Sequence, residues 1–183
     1  MDVEIRQASD AEQQAIFTVA TEAFVPEASN EIVGLIADLL GDRTAQPLLS
    51  LVATVQDQVV GHILFTHARI KDTQREVSAS ILAPLAVLPV YQNQGVGGRL
   101  INAGLKQLKA AGTELVFVLG YPAYYSRHGF VPAEVRGFEP TYAIPPEQAD
   151  AWMVQELQPD ILGKVQGTVQ CADALDNPKY WRE

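Results

Sequence analysis

Three glycines fall within four positions at Gly95-Val96-Gly97-Gly98, between an apolar run ending at Leu88 and a helical pattern through Leu100, Ile101, Leu105 and Leu108. Without a Cβ, such a turn can take positive φ and bring backbone close to a ligand. The helix start then offers unpaired N–H groups and a partial positive charge, a seat for a pyrophosphate. Several nucleotide sites share this logic, so spacing must separate them. A dinucleotide fingerprint needs Gly-x-Gly-x-x-Gly, and Leu100 occupies its third position. A phosphate-binding P-loop needs Gly-x-x-x-x-Gly-Lys-Ser/Thr, and no such run occurs. Both are excluded.

The other residues able to do chemistry are few. Cys171 is the single cysteine, which excludes a disulfide framework and a Cys-rich zinc site. No His or basic cluster near it argues for a reactive thiol, so it reads as a small buried residue. His62 and His67 lie on one expected strand, and their five-residue offset puts them on opposite faces, so they are no metal pair. No metal site is expected. Tyr124, Tyr125 and His128 cluster in Pro122-Ala-Tyr-Tyr-Ser-Arg-His-Gly-Phe130.

The elements that must position these groups follow from periodicity. Val3–Arg6 alternates as a first strand, and Ser9-Asp10 caps a helix to Ala23, ended by Pro26. Ile32, Leu35, Ile36, Leu39 and Leu40 stripe a second helix that stops at Gly41. Leu48–Val55 and Val59–Phe65 make a hairpin about Gln56-Asp57-Gln58. Val77–Leu88 is a long strand that Pro84 must bend or bulge, since proline cannot donate to a ladder. The glycine turn, its helix to Ala111-Gly112 and a strand at Glu114–Leu119 complete a βαβ unit with parallel strands. A short helix over Pro122–Ser126 and strands at Ala151–Leu157 and Lys164–Gln170 follow. The expectation is one α/β domain over residues 1–183, with a core at about 3–130 and C-terminal strands within 140–170 completing the sheet or the acceptor site.

Gln92-Asn93-Gln94-Gly95-Val96-Gly97 fits Gln/Arg-x-x-Gly-x-Gly/Ala, and resembles the acetyl-coenzyme A signature of the GCN5-related N-acetyltransferase (GNAT) superfamily. The resemblance extends to Leu85-Ala-Val-Leu-Pro89 and to Tyr124–Phe130, which is similar to the superfamily's Phe-Tyr-x-x-x-Gly-Phe. Pro122–Phe130 and the tail resemble a bacterial subgroup often called YhbS-like. That implies a GNAT fold, a mixed central sheet with a splayed parallel strand pair and flanking helices. It implies acetyl-coenzyme A as cosubstrate, with pantetheine paired to backbone of Leu85, Ala86 and Val87 as an added strand. The pyrophosphate would rest on N–H groups of Gln94, Gly95, Val96, Gly97, Gly98 and Arg99, with Asn93 in the loop and Gln92 bracing it. Arg99 either adds charge there or is a solvated residue of the first helical turn.

The implied reaction is direct attack of a primary amine on the thioester within a ternary complex, with an N-acetyl product. Tyr125 matches the superfamily's usual tyrosine acid, and Tyr124 reads as packing. Glu22, at the end of the first helix, is the candidate base, its alternative being a plain surface carboxylate. The subgroup's acidic residue before Pro-Ala-Tyr-Tyr is replaced here by Tyr121, so no acidic role carries over. A catalytically silent acetyl-coenzyme A sensor on the same fold is the rival reading.

Charge sharpens the partner classes. The net charge is −9 over 183 residues, and residues 1–50 hold nine acids against Arg6 and Arg43. Residues 69–109 are the one basic segment, with six bases and two acids, and they include the glycine turn. An acidic body opposes nucleic-acid binding. It also predicts an acidic mouth that would favour a cationic amine, either a small molecule or a peptide. No leader or membrane span is read from the chain, so a cytoplasmic protein is expected, with a homodimer through the tail as an option.

Overall fold

The chain is described by a computed structural model over residues 1–182, in which the strands join in a single sheet flanked by helices. Strand β1 (Val3–Gln7) leads through a 3₁₀ turn at Asp10–Glu12 into α1 (Gln13–Ala23). Glu12 anchors that entry. It accepts from the Ser9 N–H at 2.9 Å and from both terminal nitrogens of Arg6 at 2.8 and 2.6 Å. Pro26, besides ending the previous run, starts α2 (Pro26–Leu40), where its missing N–H costs nothing. The hairpin of β2 (Leu49–Val55) and β3 (Gln58–Lys71) comes next, then β4 (Ala79–Val87). Helix α3 (Val96–Ala110), β5 (Leu115–Leu119) and the one-turn α4 (Pro122–Tyr125) close the central part. Four shorter strands finish the sheet: β6 (Val131–Pro132), β7 (Phe138–Glu139), β8 (Trp152–Glu156) and β9 (Gly167–Gln170).

The sheet runs β1-β2-β3-β4-β5-β8-β6, with β9 pairing both β3 and β7. Strand β3 continues well past Phe65, because its far end, Arg69–Lys71, pairs with β9. β6 and β7 are too short to carry a period-2 signal, which is why periodicity missed them. The one parallel contact in the main path is β4 with β5, and it covers only Ala79↔Leu115, Ser80↔Val116 and Ile81↔Phe117. Beyond Ile81 the two strands part. β4 stays on β3 to Gly61↔Val87, while β5 stays on β8 to Leu119↔Trp152. The separation coincides with a bulge: Leu82 and Leu85 stand three apart on β4 opposite Phe65 and Ile63, two apart on β3. Pro84 lies inside it, as a residue without an N–H must.

Two layers of side chains flank the sheet. Odd positions of β3 face α3: Gly61 lies against Val96 and Leu100, and Gly104 against the Phe65 ring. On the other face Leu64 shares a cluster with Leu35 and Leu39 of α2 and with Trp152 and Trp181. Alternation therefore puts His67 on the α3 side and His62 on the opposite one, as their spacing implies. His62 is fully buried, with Nε2 at 2.9 Å from Ser50 Oγ and no partner for Nδ1 among the described residues. Burial pushes its imidazole down to about 4. The tail returns into the core: Trp181 lies 5.4 Å from Trp152 and donates from Nε1 to the Leu175 carbonyl at 2.9 Å. Cys171 is buried and its thiol is pushed up to about 11, chiefly by desolvation, so it is a packing residue.

Two outcomes follow. Gly104→Ala places a methyl on the buried Phe65 ring, and despite alanine's better helix propensity it should destabilise by about 1–3 kcal/mol in urea unfolding. His62 has its folded value depressed below the ordinary 6.5, so the unfolded chain binds the extra proton between these values. Stability from keeping it neutral is full above pH 6.5 and is lost as pH falls towards about 4. In urea titrations His62→Gln should flatten that part of the pH profile.

Candidate active site

Where β4 and β5 part, a cleft of about 1020 Å³ opens. Leu82–Leu85 and Val87 line one wall and Val118–Gly120 the other. Past Ile81 the edge of β4 that faces β5 has no strand partner among the described residues. An unpaired edge of this kind accepts an extended chain by main-chain hydrogen bonds. The cleft is reached from both faces of the sheet. The α3 side supplies Gln92, Asn93, Gly95–Gly98, Tyr124, Arg127 and His128, while the α2 side supplies Glu31, Leu35 and the tail residues Lys179 and Arg182.

On the α3 side the backbone turns tightly into the helix start. Asn93 and Gly95 take φ of +61° and +85°, and Gly95 is the N-cap of α3 with open space around it. Gln92 Nε2 donates to the Val87 carbonyl at 2.9 Å, tying the loop to the end of β4. Gln94 Nε2 donates to the Val90 carbonyl at 2.8 Å and braces the turn from outside the cleft. Gly97 and Gly98 are small for a reason besides a ligand. A Cβ on Gly97 would meet the Tyr124 hydroxyl at 2.5 Å, and one on Gly98 would meet His128 Cε1 at 2.9 Å. The aromatic segment therefore packs directly on the first turn of α3.

Within that segment the two tyrosines divide. Tyr125 is 9% exposed, packs on Gly120 just past β5, and stands edge-on to Tyr124 and Phe130 at 5.0 and 5.7 Å. Tyr124 reaches towards Gly97, carries Arg127 over its ring at 5.3 Å, and lies 5.0 Å from the His128 ring. Burial holds the Tyr124 phenol above its ordinary range, so it stays protonated at neutral pH. His128 is held below 6.5, first by burial and then by the Arg127 charge, and so is mostly neutral at pH 7. Its carbonyl accepts from Gln155 Nε2 at 2.7 Å, which fixes the segment to β8.

A strand that leaves its parallel neighbour, an open edge and a glycine-built helix start are what the GNAT resemblance implies, and similarity to known proteins agrees. Residues 4–133 match the family model of the acetyltransferase (GNAT) domain. The chain belongs to the GNAT acetyltransferase family. Among its relatives is the uncharacterized N-acetyltransferase YjhQ of Escherichia coli K12, 49% identical over 142 residues, or 76% of this chain and 77% of YjhQ. The uncharacterized N-acetyltransferase YhbS of the same strain is 36% identical over 67% of this chain and 71% of its own. The crystal structure of E. coli YhbS in complex with CoA superposes with a TM-score of 0.85 at 29% identity, covering 96% of this chain and 92% of that one. A GNAT acetyltransferase from Brucella melitensis in complex with acetyl-CoA gives 0.74 at 31%, covering 96% and 99%.

Within this GNAT framework the expected site residues separate. Leu85, Val87, Gln92, Asn93, Gly95, Val96, Gly97, Gly98 and Tyr125 line the cleft. The Ala86 side chain does not, because alternation along β4 turns it into the core. Arg99, one residue past Gly98, is carried around the helix into a separate depression beside Asp2, Glu4 and Asp57. Glu22 is exposed on α1 and does not line the cleft, whereas Glu31 does. Glu31 follows Ala28 and precedes Ile32 and Leu35, the helical spacing that turns one face of α2 towards the cleft. The expected acidic mouth is not found. Glu31 is the only carboxylate lining the cleft among the described residues, against Arg127, Lys179 and Arg182. The other acids of residues 1–50 do not line it, and nothing in the tail's sequence marks its return. NMR titration of His128 should give a midpoint below 6.5, and Arg127→Ala should raise it by removing both the charge and the cover.

Proposed function

We propose that this GNAT acetyltransferase transfers acetyl from acetyl-CoA to a primary amine by direct attack in a ternary complex, with residues 1–183 acting as one domain. The observation that carries this reading is the unpaired end of β4 leading into the N-terminus of α3. The edge from Leu82 to Val87 suits a pantetheine arm, and the α3 start from Gly95 to Gly98, flanked by Arg127, suits a pyrophosphate. CoA and acetyl-CoA in the related crystal structures support the same assignment. Acetyl-CoA supplies an activated acetyl thioester.

The chain's own groups supply the rest. A backbone N–H of the β4 edge at Leu85–Val87 polarises the thioester carbonyl and stabilises the oxyanion. The amine nitrogen bonds to the carbonyl carbon and the carbon–sulfur bond breaks. An alkylamine with a pKa of about 10.4 arrives mostly protonated, so one proton must leave it before attack and a second as the amide forms. Glu31, on the α2 side of the cleft, takes the first, directly or through water, and water carries away the second; Glu31 is preferred to Glu22 because it lines the cleft. Tyr125, against the end of β5, gives its phenolic proton to the departing thiolate. Tyr124 and His128 hold the α3 turn.

Calorimetry with acetyl-CoA and a thiol-release assay with an amine test this. Wild type should bind acetyl-CoA, and Tyr125→Phe should keep that affinity while kcat falls by about 10²–10⁴-fold. Absence of acetyl-CoA binding at millimolar concentration contradicts the assignment.

A further inference from the structure

We infer that the acceptor is a small zwitterionic amine, of the amino-acid class, whose carboxylate is held by Lys179 and Arg182 and whose amino group faces Glu31. The inference rests on the acetyl-transfer reading above and deepens it. Its starting point is the charge of the α2 face of the cleft. Glu31, Lys179 and Arg182 all line it, and none forms an ion pair among the described residues.

Their placement is built by packing. Glu31 lies one helical turn before Leu35, and Leu35 shares a core cluster with Leu175 and Trp181 of the tail. The tail is pinned on both sides of Leu175. Asp42 Oδ2 accepts from the Ala174 N–H at 2.9 Å, Thr44 Oγ1 from the Asp173 N–H at 2.8 Å, and Trp181 is 4% exposed against Trp152. Lys179 and Arg182 bracket this buried tryptophan, so a fixed backbone presents both cations at the cleft. The Lys179 ammonium lies 5.0 Å above the Tyr180 ring, which also lines the cleft.

The cations on the two faces have different tasks. On the α3 face, Arg127 over Tyr124 and the open N–H groups of α3 already form a seat for phosphate. The tail cations stand across the sheet from that seat, on the face where α2 brings Glu31. One acid and two bases lining a single half-apolar face match one amino and one carboxylate group carried by the same molecule. A purely cationic acceptor would meet Lys179 and Arg182 as repulsion.

The test uses the full chain and a thiol-release assay with pairs of acceptors, each amino acid beside its decarboxylated amine. In the wild type the carboxylate-bearing member of the productive pairs should have the higher kcat/KM. Lys179→Gln with Arg182→Gln should reduce that preference by about tenfold or more. Both side chains are exposed, and a thermal melt confirms that the double variant is folded. Equal or better turnover of the decarboxylated amines by the wild type overturns the inference. So does a preserved preference with a raised KM for acetyl-CoA, which would assign the tail cations to the cosubstrate. If neither set is acetylated while acetyl-CoA binds, the acceptor class is wrong and the transferase reading stands. If acetyl-CoA fails to bind, that reading falls as well.

Discussion

Everything at the site depends on one break in hydrogen bonding, the parting of β4 from β5 after Ile81↔Phe117. A buried strand edge is costly when its N–H and C=O groups find no partner. Here the edge is released at a bulge containing Pro84, and each strand keeps its other neighbour, β3 or β8. The sheet is thus stable on either side of a slot, and the slot carries backbone groups available to an extended ligand. The end of β4 leads into the glycine turn, so the open edge and the start of α3 line one continuous cleft.

The two faces of the sheet then acquire separate work. Phe65 against Gly104, with Gly61 against Val96 and Leu100, seats α3 closely enough for its first turn to border the slot. Tyr124 and His128 lock that turn from outside, which is why Gly97 and Gly98 are small even before any ligand is considered. Across the sheet, Leu35, Leu39, Trp152, Leu175 and Trp181 form a second layer that fixes α2 and the tail. In the proposed function, one face serves the cosubstrate's phosphates and the other the acceptor.

Much of this was legible in the residues. The hairpin, the βαβ unit and the bend at Pro84 follow from alternation, glycine placement and a missing N–H, all local properties. The GNAT resemblance rested on ordered motifs at Leu85–Pro89, Gln92–Gly97 and Tyr124–Phe130, and the family match bears it out. What local pattern could not show was which side chains share a space. Glu22 and Glu31 look alike as helix carboxylates, and only the packing of α2 turns Glu31 to the cleft. Arg99 follows the motif by two residues, yet helical rotation sends it to another surface. Lys179 and Arg182 belong to a tail with no periodicity, and their position is set by the long-range burial of Trp181 against Trp152. Summed charge misled for the same reason, since nine acids in residues 1–50 leave a single carboxylate lining the cleft.

The most direct test of the slot as the acetyl-CoA site is amide hydrogen exchange, followed residue by residue with and without acetyl-CoA. The account predicts slowed exchange along the open edge of β4, within Leu82–Val87, and at the start of α3, within Gly95–Arg99. Unchanged exchange in both stretches at saturating acetyl-CoA, or protection confined to the depression beside Asp2, Glu4 and Arg99, would contradict it.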